Sequence, residues 1–186
     1  MIARTLLLLL GLAGTTTIGH ATEEPAYETA GQIDNVELRD YAHTIQARTA
    51  MISDDSSSSS FRRLANYIFG GNDREQSIAM TAPVETQTKT DGYMAFTLPS
   101  EYTMDQLPAP DDQRVSLHDV PARRIAVLAF GGWATDGRVQ DKSRELLEVL
   151  RANQVPILGE PFLNQYNPPW TPPWSRRNEV AVLVAD

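Results

Sequence analysis

The sequence predicts one α+β domain made of two β-β-α-β-β halves. Three observations support this prediction. A helical pattern changes into a strand pattern within residues 60–84, the segment at 36–41 recurs at 115–120, and a second helical pattern follows the recurrence. With 186 residues, the chain is long enough to bury the core of one such domain.

Residues 60–84 form the central helix-to-strand unit. Four apolar residues share one face of the predicted helix at spacings of three and four: Phe61, Leu64, Ala65 and Ile68. Ser59 or Ser60 can cap its start, and Gly70 with Gly71 can end it, because glycine adopts the left-handed conformation at little cost. From 78 to 84 apolar residues occupy every second position, which is typical of a half-buried strand.

The rest of the first half is predicted around this unit. Residues 22–32 are polar and predict an extended surface segment, and the serine run 56–60 predicts a solvated loop before the helix. Residues 85–92 are predicted to be a turn or loop. Strands are predicted on either side of the unit, at 36–41, 44–51 and 93–98.

The second half repeats the first at an offset of 79 residues. Five pairs are identical at this offset: Val36/Val115, Leu38/Leu117, Asp40/Asp119, Ala47/Ala126 and Ala50/Ala129. A helix is predicted at 138–152, with Val139, Leu146, Leu147 and Leu150 facing inward. Strands are predicted at 115–120, 123–130, 162–166 and 179–184, the last being continuously apolar and therefore central.

Composition excludes several classes of function. The formal net charge is −8, with acidic residues spread along the chain, whereas a nucleic-acid-binding protein needs a basic face. Cysteine is absent and there are three histidines, which excludes disulfides, thiolate nucleophiles and metal clusters of the His/Cys kind. No phosphate-binding loop, hydrolase elbow or HExxH motif is present. Fourteen of the sixteen basic residues are Arg, so anion recognition through guanidinium groups is available.

Residues 1–21 are predicted to be a secretory signal peptide that leaves a domain at 22–186. Arg4 supplies the positive charge, 6–13 the apolar segment, and 19–21 a cleavage site with small residues. The alternative is a membrane anchor, but the apolar run is shorter than the ~20 residues that a spanning helix needs. The sequence therefore predicts a secreted protein, in the simplest case periplasmic in a bacterium, with no transmembrane segment after cleavage.

The loop at 166–177 has the most unusual composition in the chain. Four prolines restrict it to an extended path, and Trp170 and Trp174 offer flat aromatic surfaces, so that it can form the wall of a site for a planar apolar ligand. The alternative is that both tryptophans pack into the core at the end of the sheet.

Two arginine pairs and two histidines are further candidate site residues. Pairs Arg62-Arg63 and Arg176-Arg177 can hold carboxylates in bidentate fashion, or can pair internally with Glu179 or another acid. His43 and His118 can each bind a metal ion or a haem iron, or can be ordinary structural histidines.

Five sequence blocks resemble the SOUL haem-binding protein family. They are VELRDY at 36–41, LANYIFGGN at 64–72, IAMTAPV at 78–84, FGG at 130–132 and YNPPWTPPWSRRNEV at 166–180. The resemblance implies two pseudo-symmetric halves that form a distorted antiparallel β-barrel flanked by two helices. It also implies non-enzymatic, non-covalent binding of haem or another tetrapyrrole in an apolar groove between the first helix and the loop near the C-terminus.

Carried onto this chain, the resemblance implies the following site residues. The helix wall is Phe61, Leu64, Ala65 and Ile68, the loop wall is Tyr166, Trp170 and Trp174, and the candidates for the propionates are Arg62, Arg63, Arg176 and Arg177. Where some members carry a histidine proposed as the iron ligand, this chain has Asp40, and His43 lies three residues later as the candidate metal ligand.

An alternative function is an enzyme on the same scaffold. The family's fold is similar to that of GyrI-like ligand-binding domains, some of which resemble small-molecule hydrolases, and Glu179 with Tyr166 is the pair to examine. A buried Glu179 with a raised pKa favours this reading, whereas a Glu179 paired with arginine counts against it. The oligomeric state is left open by the sequence.

Overall fold

One antiparallel sheet of nine strands and two α-helices make up residues 22–51, 57–87 and 92–185, the part of the chain that the computed structural model describes. The predicted leader at 1–21 lies outside these residues. The elements in chain order are β1 (Tyr27–Ile33), β2 (Val36–Tyr41), β3 (Thr44–Ala50), α1 (Ser57–Ile68), β4 (Val84–Gln87), β5 (Tyr93–Thr97), β6 (Val115–Val120), β7 (Arg123–Phe130), α2 (Asp136–Ala152), β8 (Phe162–Gln165) and β9 (Asn178–Leu183).

The strand order shows that the repeat in the sequence is a repeat in the structure. The sheet runs β1-β2-β7-β9-β8-β4-β5-β3-β6. Apart from β1, each strand of β2 to β5 has a counterpart among β6 to β9 at the mirrored position in this order: β2 with β6, β7 with β3, β9 with β5 and β8 with β4. A pseudo-twofold axis therefore passes between β4 and β8. The register agrees, because Leu38 lies opposite Ala126 and, 79 residues along, Leu117 lies opposite Ala47.

Both helices cover the same face of the sheet. In β4, Val84 packs against the core under α1 and Thr86 borders α2, and alternate residues of a strand point to one face. Leu163 in β8, directly opposite Thr86, packs against the core under α2. The sheet curls into an open half-barrel with β1 and β6 at its edges, which confirms the α+β prediction of a distorted antiparallel barrel flanked by two helices.

Each helix has its own hydrophobic core. Leu64, Tyr67 and Ile68 of α1 are buried against residues of β3, β5 and β6, and Leu146 and Leu150 of α2 are buried against residues of β7 and β9. The opposite face carries one small apolar cluster, formed by Ile125, Val127, Phe162 and Ala181. Most of the apolar burial therefore lies on the helix side.

The end of α1 agrees with the sequence prediction. Gly70 has a φ of 108°, in the left-handed region, and a Cβ at Gly71 would overlap the side chain of Asn66. Asn72 is buried and fixes the turn, because its amide nitrogen donates to the carbonyls of Tyr67 (2.9 Å) and Gln76 (2.8 Å). Its Oδ1 accepts from the backbone N–H of Gln76 at 3.0 Å.

Several predicted boundaries differ from the structure. The helix begins at Ser57, so neither Ser59 nor Ser60 caps it, and the serines from 57 to 60 form its first turn instead of a loop. The strand predicted at 78–84 begins only at Val84, because Pro83 has no N–H and Ile78 donates its N–H to the carbonyl of Ile68. Residues 85–87 belong to β4, although a loop is predicted at 85–92. The polar N-terminal segment is extended and largely exposed, as predicted, and part of it forms the edge strand β1.

Within the described residues, no helix is long and apolar enough to cross a membrane.

Replacing Asn72 by Ala should destabilise the fold by about 2–3 kcal/mol. The change leaves two backbone carbonyls and the N–H of Gln76 without their partner in a buried turn. Urea unfolding measures the loss. Asn153→Ala is the matched control, since that exposed side chain makes one hydrogen bond, to the carbonyl of Val149, and should cost well under half as much. Equal losses in the two variants would contradict the role given to Asn72.

Candidate ligand-binding site

The loop between β8 and β9 presents two indoles to solvent. Trp170 is 83% exposed and Trp174 is 85% exposed, so the alternative that both tryptophans belong to the core is wrong. Arg176 holds the loop in shape: its Nε donates to the carbonyl of Thr171 at 2.9 Å, a terminal nitrogen donates to the carbonyl of Pro169, and the guanidinium carbon lies 4.0 Å from the ring centroid of Trp133. A stiff segment thus carries two solvated aromatic surfaces.

The apolar stripe of α1 is divided between the core and the surface. Leu64 and Ile68 are at most 1% exposed and belong to the core under α1. Phe61 and Ala65 are half-buried, and the ring of Phe61 packs edge-on against Phe96 with centroids 5.2 Å apart. Phe61 and Ala65 are therefore the members of the stripe that reach the surface.

The four candidate arginines have different surroundings. Arg62 is exposed, whereas the Nε of Arg63 donates to Thr49 Oγ1 at 3.0 Å. Both border an open depression of about 390 Å³ that Arg114 also lines. Arg177 forms ion pairs with Glu24 and Glu179, each at 3.0 Å, and lies 3.6 Å from the ring centroid of Tyr166. The internal pairing considered from the sequence is therefore present for Arg177.

Glu179 is the centre of a buried charged network on the helix-free face. Its carboxylate is 1% exposed and accepts from Arg39 at 3.0 Å, from Arg177 at 3.0 Å and from the hydroxyl of Tyr166 at 2.6 Å. Burial raises the pKa of the Tyr166 phenol, and the adjacent Glu179 carboxylate raises it further. A carboxylate that two guanidinium groups hold is a poor general base, so the arrangement counts against the enzyme reading.

His43 is half exposed and pairs with an acid. Its Nε2 lies 2.5 Å from Asp119 Oδ1, and His118 Nε2 lies 2.9 Å from Ser116 Oγ. Among residues 22–51, 57–87 and 92–185, no group of three or more His, Cys, Asp or Glu side chains could hold a metal ion. The assignment of His43 as a metal ligand stays a prediction.

The contacts of the 166–177 loop run to the second half of the chain and to the N-terminal segment. Gly132 donates its N–H to the carbonyl of Pro173 at 3.1 Å, and Arg177 reaches Glu24. Sequence reasoning missed these partners because Glu24 and Gly132 come to the loop only through the pairing of β7 with β9 and through the path of the N-terminal segment. The sequence predicts both tryptophans as candidate site residues, but it does not decide whether they are exposed or part of the core.

The profile of the SOUL heme-binding protein family matches residues 22–183. The chain belongs to this family. Among curated relatives, the bovine Heme-binding protein 1 is 26% identical over 126 residues, which is 63% of this chain and 65% of that protein. The human Heme-binding protein 2 is 27% identical over 154 residues, 75% of each chain.

Solved structures with the same fold are more distant in sequence. The C-terminal domain of EcmrR superposes with a TM-score of 0.57 at 13% identity and covers 86% of this chain and 98% of that one. A hydrolase from Listeria innocua superposes with a TM-score of 0.56 at 11% identity, covering 84% and 94%. At these identities the likeness shows a shared fold alone.

Replacing Glu179 by Gln should lower the free energy of unfolding by about 3 kcal/mol. Arg39 keeps its ion pair with Glu37, but the bonds that Arg39, Arg177 and Tyr166 donate to a buried carboxylate are weakened to bonds to a neutral amide. Urea denaturation at pH 7 measures the difference, and Asp141→Asn is the control because its ion pair with Arg144 is exposed and should contribute less than about 1 kcal/mol. A loss in the Glu179 variant as small as in the control would contradict the network.

Stability should also decline in alkali through Tyr166. Because the folded-state pKa of the phenol is raised, the unfolded chain loses this proton first, at a pKa of about 10, and the folded state loses stability above that pH. Tyr166→Phe is expected to show a flatter decline between about pH 9.5 and 11.5 than the native chain in pH-resolved urea unfolding. Parallel declines would show that Tyr166 does not carry the effect.

Proposed function

We propose that this protein binds haem or another tetrapyrrole non-covalently, without catalysing a reaction, in an apolar groove between α1 and the 166–177 loop. Membership of the SOUL family and the names of the haem-binding relatives support the ligand class. The observation that carries the proposal is the exposure of Trp170 and Trp174 on a loop with little conformational freedom. As part of the same proposal, the protein is exported, most simply to a bacterial periplasm, on the strength of the leader pattern in residues 1–21.

The loop supplies the stacking surface in this proposal. A planar macrocycle laid against exposed indoles removes apolar area of both partners from water, and the loop pays little additional ordering entropy because prolines and Arg176 already hold it. The proposal assigns the second apolar surface to Phe61 and Ala65 of α1, which are half-buried. Leu64 and Ile68 support that surface from the core below.

Arg62 is the proposed partner for a propionate. It is exposed, and the described residues provide no ion pair or hydrogen bond for its guanidinium. Arg177 is held by two carboxylates and Arg176 by loop carbonyls, so each must give up existing partners before it can bind an acid group. The two arginines of the loop thus act in the first place as supports.

Order-of-magnitude energies show which contacts decide the affinity. Burying several hundred Å² of porphyrin at ~25 cal/mol per Å² contributes on the order of 10 kcal/mol. Association costs roughly 4–15 kcal/mol of that. Stacking alone therefore yields modest affinity, and a guanidinium–propionate pair or a bond to the iron decides whether binding is tight.

A Trp170→Ala/Trp174→Ala double variant should bind haemin at least tenfold more weakly than the native protein, because two stacking surfaces are lost. Titration followed at the Soret band measures the dissociation constant, and iron-free protoporphyrin IX in parallel separates stacking from iron ligation. Leu158→Ala is the control, since Leu158 is also a largely exposed apolar residue but lies next to the end of β9.

Two results would contradict the proposal. If the native protein leaves the Soret band of added haemin unchanged, the proposed function is wrong. If the native protein and the double variant bind haemin with equal affinity, the loop is not the haem-binding site.

A further inference from the structure

A cavity of about 590 Å³ lies beside α2, over the paired strands β8 and β4. Residues of α2, of the segment before it and of the two strands line the cavity: Thr86, Ala134, Asp136, Val139, Gln140, Ser143, Arg144, Leu147, Arg151, Pro161, Phe162 and Leu163. Its volume is in the range of pockets that hold small organic ligands, about 300–1,000 Å³. It is separate from the loop with the two exposed indoles, and none of its residues is in the predicted haem site.

The two helices cover the sheet with different sets of side chains. The helices begin at Ser57 and Asp136, which are 79 residues apart, the same offset that relates the strands. At this offset the cavity-lining residues Gln140, Ser143, Arg144 and Leu147 correspond to Phe61, Leu64, Ala65 and Ile68. In the first half these positions fill the space over the sheet with apolar side chains. In the second half the fully buried pair at this spacing is Leu146 and Leu150, which fill the core under α2. Gln140, Ser143 and Arg144 line the cavity beside the helix.

The lining of the cavity has an apolar floor, and its charged residues are two arginines and one acid, Asp136. Leu147 from α2 and Leu163 from β8 pack against the core from inside the cavity and form the floor. Arg144 and Arg151, seven residues apart, lie on the same face of α2 and reach the rim. Arg144 makes an exposed ion pair with Asp141, and for the guanidinium of Arg151 the described part of the chain offers no ion pair.

Charge and shape together define the class of ligand. The hydrocarbon part of a ligand would exclude water from the apolar floor of the cavity. An acid group of the same ligand would pair with the guanidinium groups, which the bound hydrocarbon partly desolvates. We infer that this groove is a second binding site, for a small amphipathic carboxylate whose hydrocarbon part lies on Leu147 and Leu163 and whose acid group lies at Arg144 and Arg151. The inference does not depend on tetrapyrrole binding.

The test compares an acid with a neutral molecule of the same length. Decanoate and decanol are titrated into the native protein by calorimetry at pH 7.5. The expected result is binding of decanoate at one per chain and binding of decanol at least tenfold weaker. Arg144→Gln/Arg151→Gln should weaken decanoate at least tenfold and leave decanol unchanged. Lys142→Gln is the control, because this cation of α2 pairs with Glu145 and does not line the cavity.

A second variant fills the groove with the residues of the first half. Gln140→Phe/Ser143→Leu should weaken both decanoate and decanol, while circular dichroism confirms that it folds. The inference is overturned if decanoate does not bind the native protein, if the arginine variant binds it normally, or if the filled variant does.

Haemin titration of the filled variant separates the two sites. Retained haemin binding supports a separate carboxylate site. Loss of haemin binding in the filled variant, with retention in the Trp170→Ala/Trp174→Ala variant, would place the tetrapyrrole beside α2 and overturn the inference of a second site.

Discussion

The first strand of each repeat, β2 or β6, pairs with a strand of the other repeat. β2 pairs with β7 of the second half, and β6 pairs with β3 of the first, while β4 and β8 join the halves at the pseudo-twofold axis. The core under α1 therefore includes Val115 and Leu117 from the second half. Neither half can bury its helix without the other, so the fold depends on this exchange and must form as one unit. The same exchange brings β2 and β9 close enough for Arg39 to reach Glu179.

Placing both helices on one face leaves the other face to be stabilised by polar contacts. That face buries Glu85 and Glu179, and each carboxylate has several partners: Glu85 accepts from Tyr93 at 2.5 Å and from Gln46 at 3.2 Å, and Arg123 lies 3.4 Å away. A buried charge costs several kcal/mol unless such partners are present, and a satisfied network contributes little net stability compared with apolar packing. The polar network is therefore a consequence of the architecture, and it does not by itself indicate catalysis.

The sequence predicted those elements whose pattern is local. β2, β6 and β7 have the predicted bounds, and α2 differs only at its start, because alternation and helical spacing are read from adjacent residues. β1 was missed because an edge strand with two exposed faces has no apolar alternation, and its pairing with β2 is a tertiary contact. Residues 78–84 alternate as a strand does, but Met80 is exposed, and Ile78 and Thr81 form hydrogen bonds to α1 and β5 instead of joining a ladder. The spacing of apolar residues within one segment cannot distinguish a paired strand from an extended segment without a ladder.

In the candidate site, too, the spacing of residues in the sequence does not decide their role. The stripe on α1 has the spacing that a ligand wall and a core face share, and the structure assigns half of it to the core. Core packing does not account for the exposed residues of the candidate site. Exposing Trp170 and Trp174 forgoes the burial of two indoles, each of which could contribute roughly 2–3 kcal/mol inside a core. The cavity beside α2 likewise leaves the side chains of Leu147 and Leu163 only partly buried. Neither feature stabilises the fold, and both belong to the second half of the chain, one beside α2 and the other in the loop between β8 and β9.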